Sequence, residues 1–368
     1  MTCRKNFLFI LASFIVFSCA STGNIKGVTG SLSAKELLPY GRTKVSNELG
    51  LEMISSAVHF GFSFRGRQCE LYASVPSWLD HNYLQFELDG VYQKRIRISK
   101  DLTQPILIKA AAAGQHVVWI YKATEAATGP IYVQKISGEN VKAIPNSSAP
   151  LIEFIGNSIT CGAAADTSEV LCGAGEYHDQ HNAYYAYGPR VARKLGMNYI
   201  LSSVSGIGIY RTWNRESPSM PEVYDKLDFQ ENGKRIWEFT NFRPQIVSIA
   251  LGTNDLSNGD GSTARLPFDS VKFVNNYTSF VNIIKSKYPK AQILLLSSPV
   301  LNGNRRTVLE NCLKAVKKNI DSAFSVGKKV EVYFFKPMQA GGCTGHPSVE
   351  DHAVLAEEVA PFFKKLME

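Results

Sequence analysis

Gly156-Asn157-Ser158 follows a short apolar run, Leu151-Ile152-Glu153-Phe154-Ile155, and leads into Ile159-Thr160-Cys161-Gly162. A run this short and this rich in Ile and Phe reads as a buried parallel strand, with the glycine, asparagine and serine forming a tight turn at its carboxyl end. Open α/β sheets bind ligands along that edge. A serine presented there can act as a nucleophile while nearby backbone N–H groups stabilise negative charge; the plainer reading is a serine bonding its own turn.

Three later stretches also fall at predicted strand ends or in the last loop. In Ser202-Ser203-Val204-Ser205-Gly206-Ile207-Gly208 a glycine lets a backbone N–H approach a ligand closely. Leu251-Gly252-Thr253-Asn254-Asp255 offers an asparagine amide, and Cys343-Thr344-Gly345-His346-Pro347-Ser348 places an imidazole just before the final helix. Taken singly, each is an ordinary turn, cap or loop residue. Their order, and the single sheet edge they share, make a site.

The elements that carry them alternate. Apolar runs at 197–204, 246–251, 291–296 and 330–335 are separated by helix-like stretches that include 269–286, 306–324 and 348–367. This pattern predicts a parallel sheet with helices on both faces. Pro189, inside 184–195, either starts that helix or kinks it. Before residue 146 the pattern differs: short β-rich runs at 59–64, 69–73, 83–88, 95–98, 105–108 and 116–121, with Asp89-Gly90 as a hairpin signal, predict an antiparallel sandwich. No nucleophile and base converge there, and its tryptophans and tyrosines read mainly as core. Two prolines in Ile144-Pro145-Asn146-Ser147-Ser148-Ala149-Pro150 mark the expected boundary.

At 368 residues, 45% hydrophobic and 20% charged, the chain suits two globular domains. Arg4 and Lys5 precede an apolar run from Phe7 to Phe17, which reads as a secretory signal too short for an ordinary membrane span. Val16-Phe17-Ser18-Cys19 resembles a lipobox, with Cys19 as the lipidated first residue, although Phe17 is bulky for its place. Cleavage there takes the net charge from +8 to +6. Without a Lys/Arg block, the excess is a mildly basic surface and no nucleic-acid site. In an oxidising compartment Cys161 with Cys172 would close a short loop, and Cys312 with Cys343 could tie a helix to the last loop; sequence leaves the pairing open. His178 and His181 form H-x-x-H but lack the spacing and glutamate of a zincin, so no metal is expected.

With these four blocks in order, the chain resembles the SGNH, or GDSL-like, hydrolase superfamily. More narrowly, it resembles carbohydrate esterase family 2, an amino-terminal β-sandwich (jelly-roll-like) followed by a three-layer α/β SGNH domain. The resemblance runs from about Gly41 to the end and includes Tyr121-Lys122-Ala123-Thr124-Glu125. With a signal peptide expected at 1–18 and a tether at 19–40, it implies a sandwich at 41–146 and the hydrolase domain at 147–368. It implies Ser158 as nucleophile, His346 as base, and an oxyanion hole from Ser158, Gly206 and Asn254. It implies no cofactor, and an acetylated polysaccharide or oligosaccharide of xylan or glucomannan type as substrate. Membrane contact is expected only through a lipid anchor, on an exported envelope lipoprotein. Trp213 is either a sugar-stacking platform or core. The aspartate that usually stands two or three residues before the histidine is replaced by Thr344 and Cys343, which predicts a Ser–His dyad. In it His346 Nδ1 faces a backbone carbonyl or the Thr344 hydroxyl, unless a carboxylate reaches in from another loop. Asn157, at the family's aspartate position, is expected only to hold the turn. The competing readings are a lipid or thioester hydrolase and a non-catalytic carbohydrate-binding lipoprotein.

Overall fold

Phe60, Phe62 and Phe64 recur at every second position and are fully buried together with Val118 and Ile120 of the neighbouring strand. This period of two builds the first half of the chain. The computed structural model describes residues 1–2, 29–262, 264–324 and 326–368. Its antiparallel sheet comprises β1 (Thr29–Ser33), β2 (Thr43–Ser46), β3 (Gly50–Met53), β4 (His59–Ser74), β5 (His81–Leu88), β6 (Val91–Tyr92), β7 (Ile96–Ser99), β8 (Ile106–Lys122) and β9 (Ile131–Ala143). The main path is β2-β3-β9-β4-β8-β5-β6, with β1 on β9 and β7 on β5, around one apolar core.

Two expectations change here. The runs at 59–64 and 69–73 are one strand, as are 105–108 and 116–121, because a bulge between Gly66 and Gln68 absorbs the break without ending the ladder. The expected tether at 19–40 is partly built in: Thr29–Ser33 pairs with β9, and Leu32, Leu37 and Tyr40 are buried. The signal segment and Cys19 lie outside the described residues.

The second half forms a five-stranded parallel sheet in the order β11-β10-β12-β13-β14, from β10 (Leu151–Gly156), β11 (Asn198–Ser203), β12 (Ile246–Ala250), β13 (Gln292–Leu296) and β14 (Glu331–Tyr333). β10 is buried throughout, which explains its unbroken apolar run. Ile152 and Phe154 pack on one face against α2 (Tyr187–Lys194) and α6 (Val349–Lys365). Ile155 packs on the other against α4 (Ser270–Lys287) and α5 (Gly303–Ala323). The short α1 (Ser158–Cys161) follows β10, and α3 (Met220–Val223) follows the loop after β11. Pro189 sits in the first turn of α2, where its missing N–H costs nothing.

Buried polar contacts join the two halves. Arg42 donates to the Lys226 and Tyr224 carbonyls, and Arg95 to those of Asp179 and His181, both at 2.8 Å. The antiparallel half therefore packs directly on the loops around the sheet edge. Among the described residues no helix is long and apolar enough to cross a membrane.

Candidate active site

β10 ends at Gly156, where a Cβ would lie 2.1 Å from Thr160 Oγ1, so only glycine lets α1 start this close to the strand. Asn157 caps that helix by accepting from the Ile159 N–H at 3.1 Å. Ser158 is the first helical residue, so its N–H has no intrahelical acceptor. Its Oγ lies 2.8 Å from His346 Nε2, across 188 positions of sequence.

Around the imidazole the hydrogen-bond network assigns the tautomer. Thr344 Oγ1 donates to the Cys343 carbonyl at 2.8 Å, which leaves the hydroxyl an acceptor. His346 Nδ1 is 3.0 Å from that hydroxyl and 3.2 Å from the same carbonyl. Both neighbours accept, so Nδ1 carries the hydrogen and Nε2 accepts from Ser158. No carboxylate is hydrogen-bonded to His346 among the described residues. Thr344 reaches this position through a left-handed backbone, φ 53°.

The His346 loop is fixed to the loop after α1. Cys343 N–H donates to the Ala164 carbonyl, and a disulfide joins Cys343 to Cys172. This corrects both suggested pairings. Cys161 lies buried under the serine turn, its Sγ 3.2 Å from Ser203 Oγ, and Cys312 is buried against the α4–α5 core. Cys161, Cys312 and Cys69 are free thiols.

Gly206 adopts φ 77°, and a Cβ there would meet Trp213 Cδ1 at 2.7 Å. The segment is held from below by Asp255, which is fully buried and accepts from the Ile209 and Tyr210 N–H groups. Asn254 Nδ2 donates to the Ile207 carbonyl at 2.8 Å, which leaves its second hydrogen for a ligand. Ser158, Gly206, Asn254 and His346 line one cleft of ≈ 700 Å³ with Tyr177, Arg305 and Trp213. Trp213 is 40% exposed, so it is no core residue. A second cleft of ≈ 600 Å³, lined by Arg243, Lys287 and Tyr288 among others, contains no serine–histidine pair.

Burial pushes His346 below its ordinary value of 6.5, because the imidazolium loses water. The ring is then neutral, and able to take a proton, at neutral pH. His178 and His181 diverge: His181 Nε2 faces Glu125 at 3.3 Å, while His178 Nε2 faces the His81 carbonyl. His81, His178 and Asp179 lie close enough to hold a cation, but His81 Nε2 and Asp179 Oδ1 are already bonded to each other at 2.5 Å. Tyr177 and Arg305 were not visible as site residues in the sequence, because neither sits at a strand end.

Residues 154–328 match the GDSL-like Lipase/Acylhydrolase family, and residues 40–146 match the Carbohydrate esterase 2 N-terminal family. Residues 154–328 therefore form a GDSL-like acylhydrolase domain, preceded by a carbohydrate esterase 2 N-terminal domain. The chain is 23% identical to an acetylxylan esterase / glucomannan deacetylase of Cellvibrio japonicus, over 98% of both chains. It is 29% identical to the cellulase/esterase CelE of Acetivibrio thermocellus over 89% of its own length, but spans only 39% of that longer protein. Among solved structures it is similar to a family two carbohydrate esterase from Cellvibrio japonicus, with TM-score 0.78, 22% identity, and coverage of 92% and 98% of the two chains. A family two carbohydrate esterase from Clostridium thermocellum in complex with cellohexaose gives TM-score 0.75 and 25% identity, covering 90% and 99%. The expected pairing of an antiparallel domain with an α/β hydrolase domain is therefore met.

Proposed function

We propose that this acylhydrolase is a carbohydrate O-acetyl esterase acting on xylan- or glucomannan-type polysaccharides or their oligosaccharides. The observation that carries the reading is the 2.8 Å contact between Ser158 Oγ and a neutral His346 Nε2, in an open cleft bordered by uncommitted amide donors. Ser158 Oγ attacks the acetyl carbonyl while its proton passes to His346 Nε2. The oxyanion accepts from the Ser158 and Gly206 N–H groups and the Asn254 amide. The tetrahedral species breaks its bond to the sugar oxygen, which takes the proton from His346 and leaves. Water then attacks the acetyl-serine, with His346 again taking and returning the proton. The developing imidazolium is oriented by the Cys343 carbonyl and the Thr344 hydroxyl, in place of a carboxylate.

Acetate release from acetylated xylan, acetylated glucomannan and a sialic-acid ester tests the substrate class. A chain-length series of p-nitrophenyl esters should peak at acetate; a maximum at long acyl chains would instead favour a lipid or thioester hydrolase. Asn254→Ala should lower kcat by about a hundredfold to a thousandfold with little change in KM, measured on an acetyl ester. Because burial lowers the His346 pKa, kcat/KM should be level through neutral pH and fall only as the pH drops below 6.5. An acid limb at or above that value would contradict the buried, neutral imidazole. Trp213, exposed beside Gly206, is proposed as a stacking surface for a sugar ring. Export and a lipid anchor at Cys19 belong to the same proposal. Cys19→Ala should move the protein from the membrane to the soluble fraction of envelope extracts.

A further inference from the structure

Glu125 belongs to the antiparallel half, yet its side chain is buried among residues of the hydrolase half. Its Oε2 accepts from the Ser205 N–H at 2.7 Å and lies 3.5 Å from the Cys161 thiol. Its Oε1 is 3.3 Å from His181 Nε2. Ser205 is the residue immediately before the oxyanion glycine, and Cys161 closes the helix that begins at Ser158. His181 Nδ1 accepts from the Ala164 N–H at 3.4 Å, so Nε2 carries the hydrogen and donates to Glu125. A single carboxylate thus holds the segment that carries Gly206, the floor under the serine turn and the turn 177–181. Lys122, also buried, donates to Thr124 Oγ1 and to the main-chain carbonyl of Glu125 itself, at 3.0 and 2.6 Å. Lys122, Thr124 and Glu125 come from the Tyr121–Glu125 stretch, which the reaction itself leaves without a role.

We propose that Glu125 is a positioning residue of the esterase site, supplied by the accessory domain: it fixes the Ser205–Gly206 oxyanion segment and provides the negative charge that His346 lacks from a triad carboxylate. The inference rests on the Ser158–His346 reading. Tyr177 links the groups physically, edge-on to His181 at 4.6 Å between centroids and tilted against His346 at 6.4 Å. Burial alone would raise the Glu125 carboxyl, but the His181 and Ser205 bonds outweigh it and bring it to about 2, so it is ionised whenever the enzyme works. Lys122 is lowered to about 7 by burial, so its compensating charge fades at neutral pH and above. Among the described residues, the titratable groups around His346 are Tyr177 against its ring, His181, Glu125, His352 from α6, and Arg305 lining the same cleft. Of these, only Glu125 contributes a full negative charge at neutral pH. The β-domain is thereby part of the reaction centre, and the hydrolase half alone lacks this anchor.

The test is Glu125→Gln, similar in shape but uncharged, assayed on an acetyl ester from acid to alkaline pH beside wild type and Ser158→Ala. Active-site titration with a serine-directed phosphonate corrects each rate for folded sites. The expected result is kcat about tenfold to a hundredfold lower per titrated site, with KM within about twofold. The acid limb of kcat/KM should also move to lower pH by about half a unit or more, because removing a negative charge makes the imidazolium harder to form. Glu125→Asp keeps the charge but shortens the reach, so it should lower kcat with the limb unmoved, which keeps the idea testable if the glutamine variant fails to fold. Wild-type kcat per site in either folded variant, or an unmoved limb in Glu125→Gln, would overturn the role of Glu125. A Ser158→Ala protein that still turns over would instead overturn the esterase reading beneath it.

Discussion

Ser158→Ala should lower kcat for acetyl ester hydrolysis by about 10⁴- to 10⁶-fold and leave the melting temperature within about one degree of wild type. The size of the loss follows from the geometry. The hydroxyl is the group aligned on His346 Nε2, at 2.8 Å, and alanine offers neither the attacking oxygen nor the proton that the base must accept. What survives is the oxyanion cradle and substrate binding, which elsewhere retain a small residual rate over water. Stability should be unaffected, because the Oγ makes no other hydrogen bond among the described residues and alanine suits the first turn of a helix. Acetate release and thermal melting measure both halves. A variant that still releases acetate at more than a few per cent of the wild-type rate would mean that another group performs the attack.

The second large effect concerns stability and the base together. Removing the Cys172–Cys343 bridge, by the double change Cys172→Ala/Cys343→Ala, should cost about 3–5 kcal/mol, because the bond closes a loop of 171 positions. For domains of this size that is a fall of about 10 °C in Tm. The same change should reduce kcat by about tenfold or more with a smaller effect on KM, since the carbonyl facing His346 Nδ1 is that of Cys343. Wild type treated with a reductant should reproduce both losses. An unchanged Tm together with full kcat would show that the His346 loop is held by its backbone bonds to Ala164 and Ala165 alone.

The parallel sheet was legible because strands covered on both faces make unbroken apolar runs, as in Leu151–Gly156 and Gln292–Leu296. Ser158, Gly206 and Asn254 were legible for a related reason: each stands just past such a run, where the topology leaves little choice of place. The missing aspartate could be read directly from Cys343 and Thr344, but not the substitute, which depends on the positive φ of Thr344 turning its hydroxyl towards Nδ1. In the antiparallel half, Gly66 and its charged neighbours imitated a turn, although the chain only bulges and continues. The disulfide was illegible because Cα separation, 5.3 Å here, is a tertiary quantity, and the sequence-adjacent Cys161 faces the wrong way. Glu125 stood in a stretch that already drew notice. Its partners, Ser205 and His181, lie 80 and 56 positions away in the other half, and no local pattern encodes that contact.

The central claim is an acetyl group passing through the Ser158 oxygen. Rapid acid quench during turnover of an activated acetyl ester, followed by peptide mass spectrometry, reads it directly. The account predicts one acetyl on the peptide containing Ser158, absent from Ser158→Ala and accumulating more slowly when Asn254 is alanine. Steady release of acetate with no acetyl on that peptide at any time, or with the label on a different residue, would contradict it.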